Sequence, residues 1–322
     1  MIRERVAIIG AGVSGALCAA RLAEAGFDVT LLEKAAVGNG SSSRSMAGIR
    51  AQFGLEETVI GMLYAEWWYC HFHEMLATRA EHRNQPAIRQ NGYLFLFDAP
   101  DASDAAPDAA AHWKQAQILA ALQRRVGVPV ELLTSSEIAT RWPHLATGRL
   151  IGATWCPTDG FLFPPVIYGE GIRRAEELGA RLLQRTEVLA ARAHAGRIVE
   201  LETTRGAIPA DWFVNCTNAW AARVSPRLGG MHLPIAPVKR FLYHLDPGRN
   251  VLPPDVFNQL PMTIYGMGRA LGAHTRPDGS HLILAGTSRT PPEPDFSDED
   301  QDRVPERFDH RRGIDNFGFE LL

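Results

Sequence analysis

The sequence has little net charge, few cysteines and no long apolar run. Its 33 basic and 36 acidic side chains leave a formal charge of −3 over 322 residues. No stretch concentrates lysine and arginine, which argues against a nucleic-acid-binding protein. No apolar segment reaches the roughly 20 residues that a membrane-spanning helix needs. A cytoplasmic globular protein is therefore expected, and the length predicts two domains.

The scarcity of cysteine also limits the chemistry. The four cysteines are scattered and form no C-x-x-C pair: Cys18, Cys70, Cys156 and Cys216. This spacing predicts reduced thiols and argues against disulfides and zinc sites. His71 and His73 are two residues apart on a predicted helix, so they face different sides of it. No metal site is predicted.

A glycine-rich turn near the N-terminus is the clearest motif. Residues 5–9 are an apolar run typical of a buried strand, residues 16–25 favour a helix, and residues 29–32 predict a second strand. Between the first strand and the helix lies G-x-G-x-x-G, formed by Gly10, Gly12 and Gly15. The first glycine allows a tight turn, the second lets a pyrophosphate approach, and the third lets helix and strand pack closely.

An acidic residue completes this dinucleotide-binding pattern. Glu33 follows the second strand, about 20 residues after the turn, where a carboxylate accepts hydrogen bonds from a ribose. The helix start offers unpaired N–H groups to phosphates. Residues 38–50 leave the same strand end and are rich in glycine and serine. Their hydroxyl and N–H groups are suited to phosphates or to a ring system.

The rest of the chain alternates strands and helices. Residues 55–76 predict one long helix that buries its tryptophans, and strands are predicted at 93–97, 151–155, 241–245 and 281–285. Thr134, three residues before Glu137, predicts a helix start. Short apolar runs over 181–214 predict a strand, a small antiparallel meander and a return strand.

Taken in order, these motifs resemble the superfamily of FAD-dependent D-amino-acid, glycine and sarcosine oxidases. The resemblance covers about residues 1–290 and includes the turn, Glu33 and the serine-rich loop. It continues through these segments: residues 92–94, 159–164, 186–188 and 214–221, the last similar to V-N-A-A-G-x-W. It implies an α/β (α+β) fold in which a Rossmann-type FAD-binding domain is interleaved with an antiparallel-sheet substrate domain that covers the flavin.

The resemblance also implies domain boundaries. The FAD-binding domain would comprise residues 1–85 and 152–236. The substrate domain would comprise residues 86–151 and 237–290, and an irregular tail would follow at 291–322.

The cofactor contacts implied by the family place the pyrophosphate at the turn, the ribose at Glu33, the adenine beside Val188 and the flavin near the serine-rich loop. The implied FAD-binding residues are Gly10, Ala11, Gly12, Val13, Ser14, Gly15, Glu33, Lys34, Ser41, Ser42, Ser43, Arg44, Ser45, Ala47, Gly48, Ile49, Val188, Cys216, Thr217 and Trp220. Some relatives attach FAD through a histidine in this loop. Because residues 38–53 contain no histidine, non-covalent FAD is expected.

The implied reaction is oxidation of an amino acid or secondary amine at the carbon next to nitrogen, with hydride transfer to the flavin. Arg50 is the candidate anchor for a substrate carboxylate, which a guanidinium binds in bidentate fashion. Tyr265 corresponds to a substrate-facing tyrosine of relatives. The alternative interpretations are a surface arginine and an ordinary half-buried strand tyrosine. The resemblance does not identify the electron acceptor. Ile283 stands where oxidase relatives often have a lysine, and the absence of that lysine favours a dehydrogenase.

Two other functions stay open. The same scaffold oxidises C–OH bonds, so an FAD-dependent 2-hydroxy-acid dehydrogenase is one alternative. The other is a truncated, non-catalytic FAD- or ADP-binding subunit that needs a partner chain, because relatives continue with a segment that completes the FAD-binding domain. Residues 291–322 do not resemble that segment. A sheet lacking its last strand would favour association with a like or unlike chain.

Overall fold

The computed structural model describes residues 3–100, 109–236, 242–248, 251–267 and 271–289. The strands are β1 (Arg5–Ile9), β2 (Asp28–Leu32), β3 (Gly48–Ile49), β4 (Ile88–Arg89), β5 (Tyr93–Asp98), β6 (Glu131–Leu133), β7 (Leu150–Cys156), β8 (Gly160–Leu162), β9 (Arg181–Leu183), β10 (Val188–His194), β11 (Arg197–Thr203), β12 (Gly206–Pro209), β13 (Trp212–Asn215), β14 (Leu242–Leu245), β15 (Met262–Met267), β16 (Leu271–Asp278) and β17 (Leu282–Arg289). The α-helices are α1 (Val13–Glu24), α2 (Glu56–Cys70), α3 (Phe72–Met75), α4 (Ala109–Arg125), α5 (Ser135–Arg141), α6 (Pro164–Glu177), α7 (Ala221–Arg227) and α8 (Pro254–Asn258).

The chain divides into two compact units. The first comprises Met1–Ala47, Cys70–Ala87 and Phe163–Pro237, and the second comprises Gly48–Tyr69, Ile88–Leu162 and Val238–Leu322. Within the described residues, no helix is long and apolar enough to cross a bilayer.

The first unit is built on a parallel sheet of order β13-β1-β2-β9. In β1, Val6, Ala7 and Ile8 are at most 2% exposed, as expected for a strand covered on both faces. Helix α1 connects β1 to β2 and packs against α6. The antiparallel sheet β10-β11-β12 contributes Val188 and Leu201 to a core shared with Leu32 of the parallel sheet.

The second unit contains a larger, mainly antiparallel sheet of order β14-β17-β16-β15-β5-β7-β6, in which β15 and β5 are parallel. Tyr93 and Phe95 of β5 point to one face, whereas Leu94 and Leu96 point to the other and pack on Ile138. A small sheet of order β3-β8-β4 belongs to the same unit.

The predicted fold class is confirmed: a Rossmann-type unit is interleaved with a unit based on an antiparallel sheet. The predicted helix start at Thr134 is confirmed too, since Thr134 and Glu137 form a reciprocal capping box.

The compact units differ from the implied boundaries, because residues 48–69 and 152–162 lie in the second unit. The cause is strand pairing: β3 pairs with β8, and β7 pairs with β5 and β6. The implied tail at 291–322 lies outside the described residues.

The predicted helix at 55–76 differs in two ways. It breaks at His71 into α2 and α3. Its pattern predicted a buried Trp67, yet Trp67 is 48% exposed and Glu66 is 3% exposed. The buried carboxyl group of Glu66 is hydrogen-bonded to Asp159 of the same unit.

Candidate functional site

The glycine-rich turn of the first unit leaves no room for larger side chains. Gly10 lies between β1 and α1 with φ +101°, in the left-handed region that favours glycine. A Cβ atom on Gly15 would lie 1.8 Å from the Gly10 carbonyl oxygen, and one on Gly10 would lie 2.8 Å from the Cys216 carbonyl oxygen. Both positions therefore require glycine.

The second glycine of the motif faces the serine-rich loop. A Cβ added to Gly12 would lie 2.8 Å from Ser42 Oγ. The Val13 N–H at the start of α1 donates to that same oxygen at 3.1 Å. The helix has no side-chain cap of its own at Gly12. A hydroxyl thus lies at the positive end of the helix dipole, where phosphate oxygens bind in dinucleotide folds.

Glu33 is held next to this turn by the backbone. One carboxylate oxygen accepts from the Ala11 N–H at 3.0 Å, and the other accepts from the Ala35 N–H at 2.9 Å. Each oxygen keeps a further lone pair for a hydroxyl donor. The tight turn, the serine at the helix start and the oriented carboxylate fit the pyrophosphate and ribose of FAD.

Other predicted FAD-binding residues also lie in the first unit. The Lys34 ammonium lies 4.9 Å from the centre of the Trp220 ring, a cation–π geometry. Ser43 Oγ is 3.2 Å from the Tyr168 hydroxyl, and Val188 is buried at the start of β10. The remaining residues of this loop are in the same unit: Ser41, Arg44, Ser45 and Ala47.

The segment after β13 is the one similar to V-N-A-A-G-x-W. Asn218 occupies its glycine position and has φ +49°; asparagine tolerates this left-handed conformation better than most residues. Asn215 Oδ1 accepts from the Thr217 N–H at 3.2 Å and from its hydroxyl at 2.6 Å. The Cys216 N–H donates to the Ile9 carbonyl at 2.9 Å, which fixes the segment beside β1.

Gly48 and Ile49 belong to the second unit, where they form β3. A Cβ on Gly48 would lie 2.7 Å from Met262 Sδ. The structure therefore does not assign all predicted FAD-binding residues to one unit.

Arg50, directly after β3, lies among aromatic rings. Its guanidinium carbon is 4.5 Å from the ring centre of Phe53 and 5.4 Å from those of Tyr93 and Phe95. Nη1 donates to the Tyr93 hydroxyl at 3.4 Å, while Nε is buried without a partner. Within the described part of the chain, no carboxylate forms an ion pair with Arg50. A partly buried guanidinium with unused donors is suited to an external carboxylate.

The residues after Arg50 are fixed by a buried hydrogen-bond network. The carboxylate of Asp159 accepts from the Ala51 N–H at 2.9 Å and from Gln52 Nε2 at 3.0 Å. Gln52 also donates to the Tyr93 carbonyl at 2.9 Å and accepts from Thr154 Oγ1 at 2.7 Å. Every group of the Gln52 amide has a partner, so its orientation is set.

Glu66 completes this network as a neutral acid. Burial, together with the charge of Asp159 and a hydrogen bond to it, raises the pKa of Glu66 to about 9. Burial also raises the pKa of Asp159, and hydrogen bonds from Ala51 and Gln52 oppose that rise. The two carboxyl groups thus share one proton near neutral pH, with Glu66 as the donor.

This shared proton predicts a pH-dependent stability. The raised pKa of Glu66 contributes stability that is fully present below the unfolded pKa of about 4.3 and is lost as the pH rises towards about 9. Glu66→Gln keeps a neutral donor, so we expect the Tm of the variant, relative to the wild type, to rise between pH 5 and pH 9. Thermal unfolding at several pH values measures the difference; a difference independent of pH would contradict the shared proton.

Asp159→Asn changes the other carboxyl group of this pair and is the matched variant to Glu66→Gln. An asparagine amide would direct a donor at either the Ala51 N–H or Gln52 Nε2, because both groups donate to Asp159. A lower Tm at every pH is expected, since a buried donor loses its acceptor.

The structure does not bring Tyr265 and Arg50 together. In β15, Thr263 pairs with Leu94, and Tyr265 packs in the Leu94 core on the opposite face from Tyr93. The Tyr265 hydroxyl accepts from Thr275 Oγ1 at 3.4 Å. It lines a cavity of about 590 Å³ on that face, as does Ile283.

Sequence reasoning missed a second cationic feature on the second unit. The guanidinium carbons of Arg276 and Arg89 lie 4.8 and 5.8 Å from the ring centre of Phe161. Arg276 also forms an ion pair with Asp278 at 2.9 Å. The sequence patterns predicted no strand over β16, and the sequence does not indicate that Arg276 lies next to Phe161, more than one hundred residues earlier.

This chain is similar in sequence and in fold to known proteins. Residues 5–313 match the family described as FAD dependent oxidoreductase (DAO). A glycine oxidase of Geobacillus kaustophilus is 28% identical over 295 residues, which cover 90% of this chain and 71% of that protein. The crystal structure of an L-proline dehydrogenase from P. horikoshii superposes with a TM-score of 0.75 and 25% identity, over 99% of this chain and 77% of that one.

A third relative is named as a regulatory subunit. The mitochondrial pyruvate dehydrogenase phosphatase regulatory subunit of Mus musculus is 25% identical over 226 residues, which cover 68% of this chain and 23% of that protein.

Proposed function

The chain belongs to the family of FAD-dependent oxidoreductases, and we propose that it oxidises the C–N bond of an amino acid or of a secondary amine bearing a carboxylate. The observation that carries this proposal is Arg50, whose buried Nε has no partner and whose guanidinium is bordered by aromatic rings. Such a group favours a small substrate with a carboxylate. A bidentate contact would fix the carbon next to the amine at a defined distance from the anchor.

The aromatic residues around Arg50 would define the substrate environment. Phe53 and Phe95 reduce the access of water to the guanidinium, which strengthens its attraction for a carboxylate. Burial raises the pKa of Tyr93, so its phenol stays neutral and can donate a hydrogen bond to a carboxylate oxygen. Asp159 and Gln52 act through the backbone of residues 51–52 and are positioning residues.

The residues of the first unit would hold the cofactor. Gly10, Gly12 and Gly15 would admit the pyrophosphate, the start of α1 would donate N–H groups, and Glu33 would accept from the ribose. FAD supplies a two-electron acceptor for hydride from the carbon next to nitrogen. We propose that it is bound without a covalent link, since residues 38–53 contain no histidine. The further residues of this unit proposed to contact it are Ala11, Val13, Ser14, Lys34, Ser41, Ser42, Ser43, Arg44, Ser45, Ala47, Val188, Cys216, Thr217 and Trp220.

The test is anaerobic reduction of the bound flavin. The protein is mixed without oxygen with glycine, sarcosine, D-alanine and L-proline, and in parallel with lactate. We expect at least one amine to bleach the visible flavin absorption and lactate to leave it unchanged. Bleaching by lactate alone would contradict the proposal and assign the chain to 2-hydroxy-acid oxidation.

A second candidate function is a non-catalytic FAD-binding subunit. The similarity to a regulatory subunit favours it. Under this alternative the chain binds FAD, yet no substrate class reduces the flavin. The same anaerobic experiment therefore separates the two functions.

A further inference from the structure

The sheet face that carries Phe95 continues beyond Arg50 to a histidine. Phe95 of β5 pairs with Ile264 of β15. Ile264 pairs with His274 of β16, which pairs in turn with Gly286 of β17. Directly paired residues lie on the same face of a sheet. His274 is therefore two strands from Phe95, about 10 Å away at about 4.8 Å per strand, on the face that Arg50 contacts.

The neighbouring row of residues on this face is covered by the small sheet β3-β8-β4. Tyr93 and Met262, which pair with each other, are each 3% exposed, and a Cβ on Gly48 would lie 2.7 Å from Met262 Sδ. The Arg276 side chain is 10% exposed, and its guanidinium carbon lies 4.8 Å from the ring centre of Phe161. This row therefore offers little surface to a substrate.

The row from Phe95 to His274 is more open. Phe95, Ile264 and His274 are all half-buried. On the opposite face of the same strands, Thr263 and Ala273 are 3% and 1% exposed. The described residues thus form a partly open strip that begins beside Arg50, crosses an apolar side chain and ends at an imidazole.

Gly286 makes room for that imidazole. A Cβ on Gly286 would lie 2.4 Å from Nε2 and 2.9 Å from Cε1 of His274. The ring therefore lies against the backbone of Gly286, and a larger residue at that position would displace it. An imidazole N–H is a hydrogen-bond donor, so the far end of the strip is suited to an oxygen acceptor.

We propose that His274 determines specificity for the side chain of the substrate, an inference that rests on the proposed function. Arg50 binds the carboxylate next to the amine, Ile264 contacts the apolar part of the side chain, and the His274 N–H donates to an oxygen at its end. The preferred substrates are amino acids with an extended side chain that ends in a carboxylate or an amide. Glycine is too small to extend beyond Arg50.

The experiment compares glutamate, glutamine and norvaline, each as the racemate, as reductants of the bound flavin without oxygen. The three side chains have the same length, but norvaline has no oxygen at its end. The rate of bleaching against concentration gives a limiting rate and a half-saturating concentration. We expect half-saturation for glutamate and glutamine at a concentration about tenfold lower than for norvaline.

Two variants test the histidine itself. In His274→Leu, the half-saturating concentration for glutamate should rise about tenfold, while the value for norvaline and all limiting rates stay unchanged. His274→Gln keeps an N–H donor and should restore part of the preference for glutamate.

Two further variants separate the position of the imidazole from its presence. Gly286→Ala keeps His274 but displaces its ring, so it should also weaken the preference for glutamate. His244 lies on β14 and pairs with Asp278 at 3.0 Å; His244→Leu is the matched control and should leave the preference unchanged.

The outcomes distinguish this inference from the proposed function. Flavin reduction without a preference for glutamate, a preference that persists in His274→Leu, or an equal loss for all three substrates would overturn the role of His274. The proposed function would still hold in each of these cases. If no amino acid or secondary amine reduced the flavin, the proposed function would fall, and this inference with it.

Discussion

Arg50→Gln is expected to raise the KM for an amino-acid substrate by about 100-fold, which corresponds to about 3 kcal/mol. The substitution removes the charge and the planar fork that bind a carboxylate, while an uncharged side chain of moderate length still packs on Phe53 and Tyr93. Arg50→Lys keeps the charge but not the fork, so we expect a smaller effect, about tenfold. Steady-state kinetics of each variant, with KM and kcat separated, measure these effects.

Two controls keep this prediction specific. Arg141 also lies over aromatic rings, 4.5 Å from the ring centre of Trp155, but it is paired with Glu131. Arg141→Gln should leave KM unchanged. The second control is a substrate: an amine that lacks the carboxylate should react equally well with the wild type and Arg50→Gln. Equal losses for both substrates would show that Arg50 does not bind the carboxylate.

Gly15→Ala is expected to abolish FAD binding and to lower the Tm of the chain without cofactor by about 6 °C or more. The new Cβ would lie 1.8 Å from the Gly10 carbonyl oxygen, so the turn must open. Overpacking of this kind costs about 3 kcal/mol, and for a chain of this size each kcal/mol lowers Tm by about 2–4 °C. Flavin content after purification and thermal unfolding give the two measurements.

Gly61→Ala is the matched control. Gly61 lies within α2 with nothing within 4 Å of its hypothetical Cβ, so alanine should stabilise the helix by about 0.5–1 kcal/mol. FAD binding should be unchanged. If Gly15→Ala bound FAD like Gly61→Ala, the turn would not be the pyrophosphate site.

The turn was predictable because its requirements are local. Gly10, Gly12, Gly15 and Glu33 lie within one strand–helix–strand unit, so their spacing along the chain determines their arrangement in space. Arg50 could be identified as a candidate, but two of the three rings around it, Tyr93 and Phe95, come from β5, more than forty residues later.

The features that sequence did not predict depend on contacts between distant segments. Glu66 interrupts an apolar pattern on α2, and only the position of Asp159, 93 residues later, explains its burial. Alternation along β15 puts Thr263 and Tyr265 on the same face of the strand. Periodicity alone does not indicate whether Arg50 lies on that face of the sheet. The register between β15 and β5, in which Thr263 pairs with Leu94, places Tyr265 on the face opposite Tyr93, whose ring contacts Arg50.

The absorption spectrum of the purified chain, before and after acid precipitation, tests most directly whether its first unit binds FAD without a covalent bond. We predict a yellow protein with a flavin spectrum, and release of a stoichiometric amount of intact FAD into the supernatant. A colourless protein that takes up no added FAD, or flavin that stays with the precipitate, would contradict this account.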